Sequence, residues 1–177
     1  MILPFPPLLL RQVRRFAREA RGAAAVEIAI WAGVLVVPML SAADIGFYLY
    51  RRMELEYATR AAAEAIWRKC DLVYLPATVR CSGYSTIATT AAQASTSLTT
   101  GVTITSITEG YYCQVGSDLV ATGGALSAGT TICANGAKSA DYIQVTGSYT
   151  YTPTFKGISV AGILPSPITQ KIWLRLS

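Results

Sequence analysis

A single carboxylate stands inside an apolar run near the start of the chain. Glu27 lies within "GAAAVEIAIWAGVLVVPML", five residues after Gly22. A charge deep in a membrane costs roughly 2.5–3.5 kcal/mol even on lenient insertion scales, so such residues usually have a function. If the chain were cut after Gly22, Ala23 would carry a new ammonium group one helical turn from Glu27. Either that amine or one on a neighbouring subunit could neutralise the carboxylate, and the spacing alone does not choose between them.

A plainer interpretation of Glu27 stays open, in which it marks the cytoplasmic interface and its side chain reaches water. Asp44 suits that description better. It lies seventeen residues after Glu27, about 26 Å along a helix, so the two acids bracket a gap of the size of a bilayer core. We therefore expect Asp44 at the outer interface.

The cysteines predict disulfide chemistry and not a metal site. All four follow the apolar run, none forms a CxxC pair, and the chain has no histidine to complete a zinc site. An even number of cysteines beyond a membrane segment fits two disulfides in an oxidising compartment. Of the three possible pairings we favour Cys113 with Cys133, which would close a nineteen-residue loop and contribute about 3 kcal/mol, and Cys70 with Cys81.

The sequence predicts neither catalysis nor a cofactor. Histidine, the commonest general base, is absent, and we find no nucleophile with a base, no phosphate-binding loop and no acid cluster for calcium. The carboxylates after residue 71 are Glu109, Asp118 and Asp141. We expect no catalytic, cofactor-binding or metal residues, so the chain is not predicted to be an enzyme.

The positive charge belongs to the first residues of the chain. The net charge is +5, but five arginines and one glutamate lie in residues 1–22. Basic residues beside an apolar run fit the positive-inside rule for membrane proteins. No basic stripe continues into the rest of the chain, so we do not expect nucleic-acid binding.

One long helix is predicted to carry Glu27 and Asp44. Twenty-one residues from Ala23 to Ala43, uncharged but for Glu27, are long enough to cross a bilayer, although Pro38 removes one backbone hydrogen bond. The apolar run then continues without a stop signal into an amphipathic stretch. We predict a basic leader (1–22), a transmembrane helix (23–44), its amphipathic extension (45–70) and an α+β head (71–177).

The head is predicted to contain an antiparallel sheet. Four segments are assigned: a short helix in Gly83–Leu98 with an apolar stripe, a strand in Gly101–Val115, a strand pair or bent strand in Asp141–Phe155, and a last strand in Thr169–Leu176. The helical stripe would comprise Ile87, Ala91, Ala94 and Leu98. The glycine-rich residues 116–132 are predicted to be a long loop.

The N-terminal pattern resembles that of type IV prepilins. A basic leader, a glycine, a glutamate at the fifth position after it, and an apolar helix that becomes amphipathic are shared features. "RRFAREARGAAAVEIAIWAGVLVVPML", with its internal proline, looks like the TadE-like pseudopilins of the tight adherence (Tad) pilus system. The segments "YYCQV" and "DYIQVTGSYTYTPTF" are similar to that family's C-terminal region.

The resemblance implies how the chain would be processed and where it would reside. A prepilin peptidase would cut after Gly22 at the cytoplasmic face, Ala23 would become the mature terminus, and Glu27 would set subunit registry. The protein would be a single-pass protein of the bacterial inner membrane, with its N-terminus in the cytoplasm and its head in the periplasm, or in the extracellular pilus.

The resemblance also implies a role and partners. Because Ile28 replaces the tyrosine of the major Flp-type pilins and the chain is longer than they are, we interpret it as a minor pseudopilin. It would take part in initiating or capping an adhesive Tad/Flp-type pilus. Its partners would be other minor pseudopilins, the major pilin, the prepilin peptidase and the inner-membrane assembly platform.

Two rival interpretations stay open. In the first, residues 1–43 are a secretory signal that is cut after Ala43 and releases a disulfide-bonded binding domain. In the second, the protein is a membrane-anchored adhesin or sensor that is never processed. The mature N-terminus distinguishes all three.

Overall fold

The protein has the α+β fold that its sequence predicts. A computed structural model describes residues 20–70, 75–122 and 132–176. Within these ranges the α-helices are α1 (Ala20–Lys69), α2 (Ala77–Arg80) and α3 (Tyr84–Ala94). The strands are β1 (Val102–Val115), β2 (Asp118–Ala121), β3 (Ala140–Tyr149) and β4 (Ile168–Arg175). They form one antiparallel sheet in the order β2-β1-β3-β4.

The chain divides into two compact units. One contains the described residues up to Ile45 together with Pro153–Gly162. The other contains the remaining described residues, from Gly46 to Thr152 and from Ile163 onward. The second half of α1 therefore groups with the sheet, whereas a short segment between β3 and β4 groups with the first half of α1.

The helix α1 continues through Pro38 to Lys69. The spacing of Glu56 and Arg60, and of Glu64 and Arg68, predicts ion pairs along the helix. Both are present: Arg60 lies 2.7 Å from Glu56, and Arg68 lies 3.2 Å from Glu64. In each pair the acid precedes the base, the order that favours a helix. The amphipathic pattern predicts an apolar stripe of five residues, Leu55, Ala58, Ala62, Ala65 and Ile66. Four of them are fully buried, whereas Ala65 is partly buried.

Small residues allow the second half of α1 to pack closely on β3. A Cβ atom added to Gly147 would lie 3.3 Å from the Cδ1 of Leu55 and closer still to the hydroxyl of Thr59. Thr59 is itself fully buried, and its hydroxyl donates a 2.7 Å hydrogen bond to the Leu55 carbonyl. Ile143 and Val145 of β3 are fully buried beside this contact.

The strand register explains which side chains share a sheet face. β1 pairs with β3 from Val102↔Tyr149 to Tyr112↔Ala140, with one register shift between Ile104 and Ser106. Such a bulge bends and twists the bulged strand locally. The sequence of β4 alternates aliphatic residues with charged or aromatic ones from Lys171 to Arg175, which predicts one buried face. The structure confirms it, since Ile172 and Leu174 are partly buried and Lys171, Trp173 and Arg175 are exposed.

Two details of the strands differ from prediction. Residues 116–132 are not one loop, because β2 folds back on β1 through the two-residue turn Gly116–Ser117. The strand predicted over Asp141–Phe155 is a single strand that ends at Tyr149. Residues 1–19 of the predicted leader and residues 123–131 of the predicted loop lie outside the described residues.

The short helix α3 ends earlier and buries a slightly different stripe than predicted. Ala88 and Ala92 are fully buried, whereas Ala94 is exposed. Ser95 ends the helix, since its hydroxyl donates to the Ala92 carbonyl at 2.9 Å. The helical period therefore stops before Leu98, which is nevertheless buried.

Candidate functional site

The residues predicted to define a processing site lie in the first turns of α1. The helix passes through Gly22 and Ala23 without a break. Glu27 is exposed, and it forms no ion pair with any side chain that the structure describes. The partner predicted for Glu27 is an ammonium group that exists only after cleavage, so the uncut chain leaves this carboxylate available.

The helix around Glu27 exposes apolar side chains on all its faces. The most apolar 18-residue window of α1 has a mean hydropathy of 2.1, and none of it is buried within the protein. The large apolar residues with 42–71% exposure are Val26, Ile28, Ile30, Trp31, Val34, Leu35, Val36, Val37 and Met39. A helix that is apolar all round must be covered by lipid or by other helices. This surface is long and apolar enough to span a membrane.

Polar groups reappear one turn beyond this apolar surface. Pro38 has no N–H, so the helix loses one backbone donor. Ser41 then donates a 2.8 Å hydrogen bond from its hydroxyl to the Val37 carbonyl, and its oxygen accepts one from the backbone N–H of Val160 at 3.3 Å. Ser41 is therefore 6% exposed despite its place beside the apolar surface.

Asp44 holds a distant segment of the chain, Pro153–Gly162, which we call the clasp loop. Its two carboxylate oxygens accept hydrogen bonds from the backbone N–H groups of Thr154 at 3.0 Å and Phe155 at 3.2 Å. The side chain is fully buried. The sequence suggested a residue at an interface but gave no sign of this partner, which lies 110 residues further along the chain.

A second exposed apolar surface follows Asp44 along α1. Phe47, Tyr50, Met53 and Tyr57 recur every three or four residues and are 52–67% exposed. Residues at this spacing share one helical face. No described residue covers these side chains, although the Arg51 guanidinium lies 5.7 Å from the centre of the Tyr50 ring. We call this set the aromatic face.

The cysteines are paired in the way that the spacing favours. Cys70 and Cys81 lie at disulfide-bonding distance with Cα atoms 5.5 Å apart, and Cys113 and Cys133 with Cα atoms 5.6 Å apart. The first pair ties the end of α1 to the residue after α2. The second ties β1 to the segment that precedes β3.

The sheet brings together two carboxyl groups that sequence reasoning treated separately. Glu109 of β1 and Asp141 of β3 are diagonal neighbours, since Glu109 pairs with Ile143 and Tyr111 pairs with Asp141. Both oxygens of Glu109 accept backbone hydrogen bonds at the start of α2, from residues 77 and 78 at 2.7 and 2.6 Å. Burial, together with the nearby Glu109, raises the pKa of Asp141 to about 7.

This pair is suited to sharing a proton. Glu109 accepts two N–H groups, so Asp141 is the member that holds the proton. No cluster of three or more metal-binding side chains occurs among the described residues. Glu109 and Asp141 therefore form an acid pair that links β1, β3 and the start of α2.

Comparison with known proteins bears on the N-terminal region. Residues 22–64 match the sequence model of the TadE-like protein family. The match begins at Gly22 and includes Glu27, the apolar surface of α1 and the aromatic face. It covers about a quarter of the chain and confirms the predicted resemblance over that range. Searches of curated proteins and of solved structures give no match.

Proposed function

We propose that this chain is a minor pseudopilin of a Tad-type pilus. A prepilin peptidase would remove residues 1–22, and the helix that then begins at Ala23 would pack among the helices of other pilus subunits. The TadE-like match carries the proposal, because it begins at Gly22 and follows a helix whose apolar surface nothing in the described chain covers. A chain that acts by assembly needs such a surface.

The environment of Glu27 supports a role in registry. Its carboxylate is exposed in an otherwise apolar stretch and has no ion-pair partner among the described side chains. A subunit can leave this charge in an apolar environment only when a cation meets it. The amine of Ala23, on the same subunit or on the next, would supply that cation once per subunit and so fix the axial position of neighbouring helices.

The distribution of charge and cysteines supports an inner-membrane orientation. The arginine-rich residues 1–22 favour a cytoplasmic N-terminus. Both cysteine pairs lie beyond the apolar helix and are joined, which fits an oxidising periplasm. The head would stay in the periplasm until assembly carries it into the pilus.

Two surfaces of α1 would serve different partners. The apolar surface before Asp44 would contact lipid and the assembly platform first and the other pilin helices later. The aromatic face would contact the head or helix of a neighbouring minor pseudopilin or of the major Flp-type pilin. Large aromatic side chains are enriched at such interfaces, which supports a role in initiating or capping the fibre.

The mature N-terminus tests the proposed processing. Intact-mass and N-terminal analysis of the membrane-extracted protein should give a chain that begins at Ala23. Gly22→Leu should leave the leader attached and abolish piliation, because a bulky residue blocks the peptidase. Gly33→Leu is the matched control: it adds the same side chain to the same helix, where nothing lies within 4 Å of the new Cβ, and it should be cut normally.

Other termini would contradict the proposal. A mature chain that begins at Asp44 would support the rival secreted binding domain. A native protein that keeps its leader and still functions would support the unprocessed adhesin or sensor. The first rival must also accommodate the hydrogen bond from Val160 to Ser41, which cleavage after Ala43 would remove.

Glu27→Ala tests the registry role separately. The variant should insert into the membrane as well as the native protein or better, because it removes a charge that costs roughly 2.5–3.5 kcal/mol in lipid. Pilus assembly, scored by electron microscopy and by shed pilin, should fall at least about tenfold if each subunit loses one such ion pair. Glu64→Ala, which removes an exposed acid from the same helix, is the control. Normal piliation by Glu27→Ala would contradict the role.

A further inference from the structure

The clasp loop has a defined conformation of its own. The Phe155 carbonyl accepts hydrogen bonds from the N–H groups of Ile158 at 3.3 Å and Ser159 at 3.0 Å. Gly157, with φ of +82°, turns the chain between them in a conformation that glycine adopts readily. The loop then enters a 3-10 helix over Val160–Ile163. Its side chains therefore project in fixed directions.

The clasp loop turns its polar backbone toward the helix. The N–H groups of Thr154, Phe155 and Val160 all donate to side chains of α1. Their acceptors, Asp44 and Ser41, are buried by this contact. Backbone N–H groups that enter the hydrocarbon region of a membrane must be satisfied within the protein, and these three meet that requirement.

The clasp loop turns apolar side chains outward. Ile158 and Val160 are each 53% exposed. Lys156 is exposed two residues before Ile158. Exposed aliphatic side chains are common on any protein surface, so the position of these two in the fold decides what they contact. Backbone N–H groups of the loop face the helix and these two side chains face outward, an arrangement that is compatible with lipid.

The attachment point sets the depth of these side chains. Ser41 lies three residues before Asp44, about 4.5 Å nearer the apolar surface along the helix axis. The exposed apolar surface of α1 extends to Met39. The Val160 backbone, bonded to Ser41, is therefore level with the outer end of the membrane-spanning segment. Interfacial segments bury their apolar side about 5–10 Å into the headgroup and acyl boundary, which is the depth that this position allows.

We propose that the clasp loop inserts Ile158 and Val160 into the outer leaflet of the membrane that α1 spans, with the Lys156 ammonium at the level of the lipid phosphates. This inference rests on the proposed function only in requiring that α1 spans the membrane. The lipid contact is continuous with the apolar surface of α1, because Ser41 joins the two. Before assembly, the loop would thus hold the outer end of the helix at a fixed depth in the bilayer.

Photochemical cross-linking of the full chain tests the insertion. Ile158 or Val160 is replaced by p-benzoylphenylalanine, and the protein is reconstituted in vesicles of phosphatidylethanolamine and phosphatidylglycerol. Val34, 58% exposed on α1, is the control for the spanning helix, and Val115, 53% exposed on β1, is the matched control for the head. Mass spectrometry should find lipid adducts at both loop positions at least about fivefold above Val115 and similar to Val34.

Two results would overturn the proposal in distinguishable ways. If Val34 labels lipid and both loop positions label no more than Val115, the loop does not insert, although the helix still spans. If Val34 also fails to label, the membrane anchor itself is wrong. Cross-links from the loop positions to a second protein chain in place of lipid would assign this surface to a neighbouring subunit and reject the lipid contact.

Discussion

At the scale of single residues, Asp141 has an unusual environment for an ionisable group. Asp141 is fully buried against Glu109, and its pKa is raised to about 7. The ordinary value for an aspartate is 3.8. Between these two pH values the folded chain binds a proton that the unfolded chain has already lost. Linkage then requires that the contribution of Asp141 to stability be complete below about pH 4 and be lost as the pH rises from about 4 to about 7.

Asp141→Asn should remove most of this pH dependence, because its amide does not ionise and can still donate to Glu109. Relative to the variant, the native protein should lose at least about 1 kcal/mol of unfolding free energy between pH 5 and pH 8. Urea unfolding of the detergent-solubilised chain with its disulfides intact measures this. Asp118→Asn, at an exposed position of β2, should keep the native profile, and a profile that Asp141→Asn leaves unchanged would contradict the shared proton.

The residues that sequence reasoning missed are those that meet only in the folded chain. Glu27 could be found because an acid in an apolar run is visible without a structure. The diagonal contact of Glu109 with Asp141 depends on the β1–β3 register, which a bulge shifts by one residue. The Asp44 hydrogen bonds depend on a loop 110 residues away. Neither contact leaves a local signal in the sequence.

At the scale of elements, local patterns decided what could be predicted. The apolar stripe of α1 and the alternating residues of β1 and β4 are periodic patterns, so the sequence alone predicts where these elements lie. β2 was missed although its signal is present: Gly116–Ser117 is a pair that favours a two-residue hairpin turn. The surrounding glycines suggested a loop instead. The contact between α1 and β3 at Gly147 was likewise beyond local reasoning, because only packing reveals it.

Gly147→Ala should destabilise the protein by about 1–3 kcal/mol, since the new methyl group overlaps the Thr59 side chain. Chemical unfolding measures the loss. Thr59→Ala in the same chain should recover part of it, because it removes the atom that the methyl group meets, and a double-mutant cycle isolates the coupling. If the losses of unfolding free energy from Gly147→Ala and Thr59→Ala simply add, the close approach of α1 to β3 is not the reason that position 147 requires glycine.

At the scale of the whole molecule, two cross-links restrict the unfolded chain. Cys113–Cys133 encloses a longer loop than Cys70–Cys81, with sequence separations of 20 and 11. The entropic cost of closing a loop in the unfolded chain rises only slowly with the length of the loop. Both pairs should therefore stabilise the head by comparable amounts, although one closes around a helix end and the other joins the sheet to the chain before β3.

The double replacement Cys113→Ser with Cys133→Ser should lower the free energy of unfolding by about 3 kcal/mol. Cys70→Ser with Cys81→Ser, which keeps the other pair, should cost nearly as much. Denaturant titration under non-reducing conditions compares them. A loss below about 1 kcal/mol for either double variant would mean that the bond mainly strains the folded head.

The hydrogen bonds between Asp44 and the clasp loop have a consequence for biosynthesis. A ribosome delivers the chain N-terminus first, so Asp44 emerges long before Thr154 and Phe155, its partners 110 and 111 residues later. Until those residues have been made, the carboxylate cannot accept these two hydrogen bonds. In the membrane-spanning arrangement proposed above, this acid would resist being drawn into the hydrocarbon, so the nascent helix would have a stop against slipping inward during that interval.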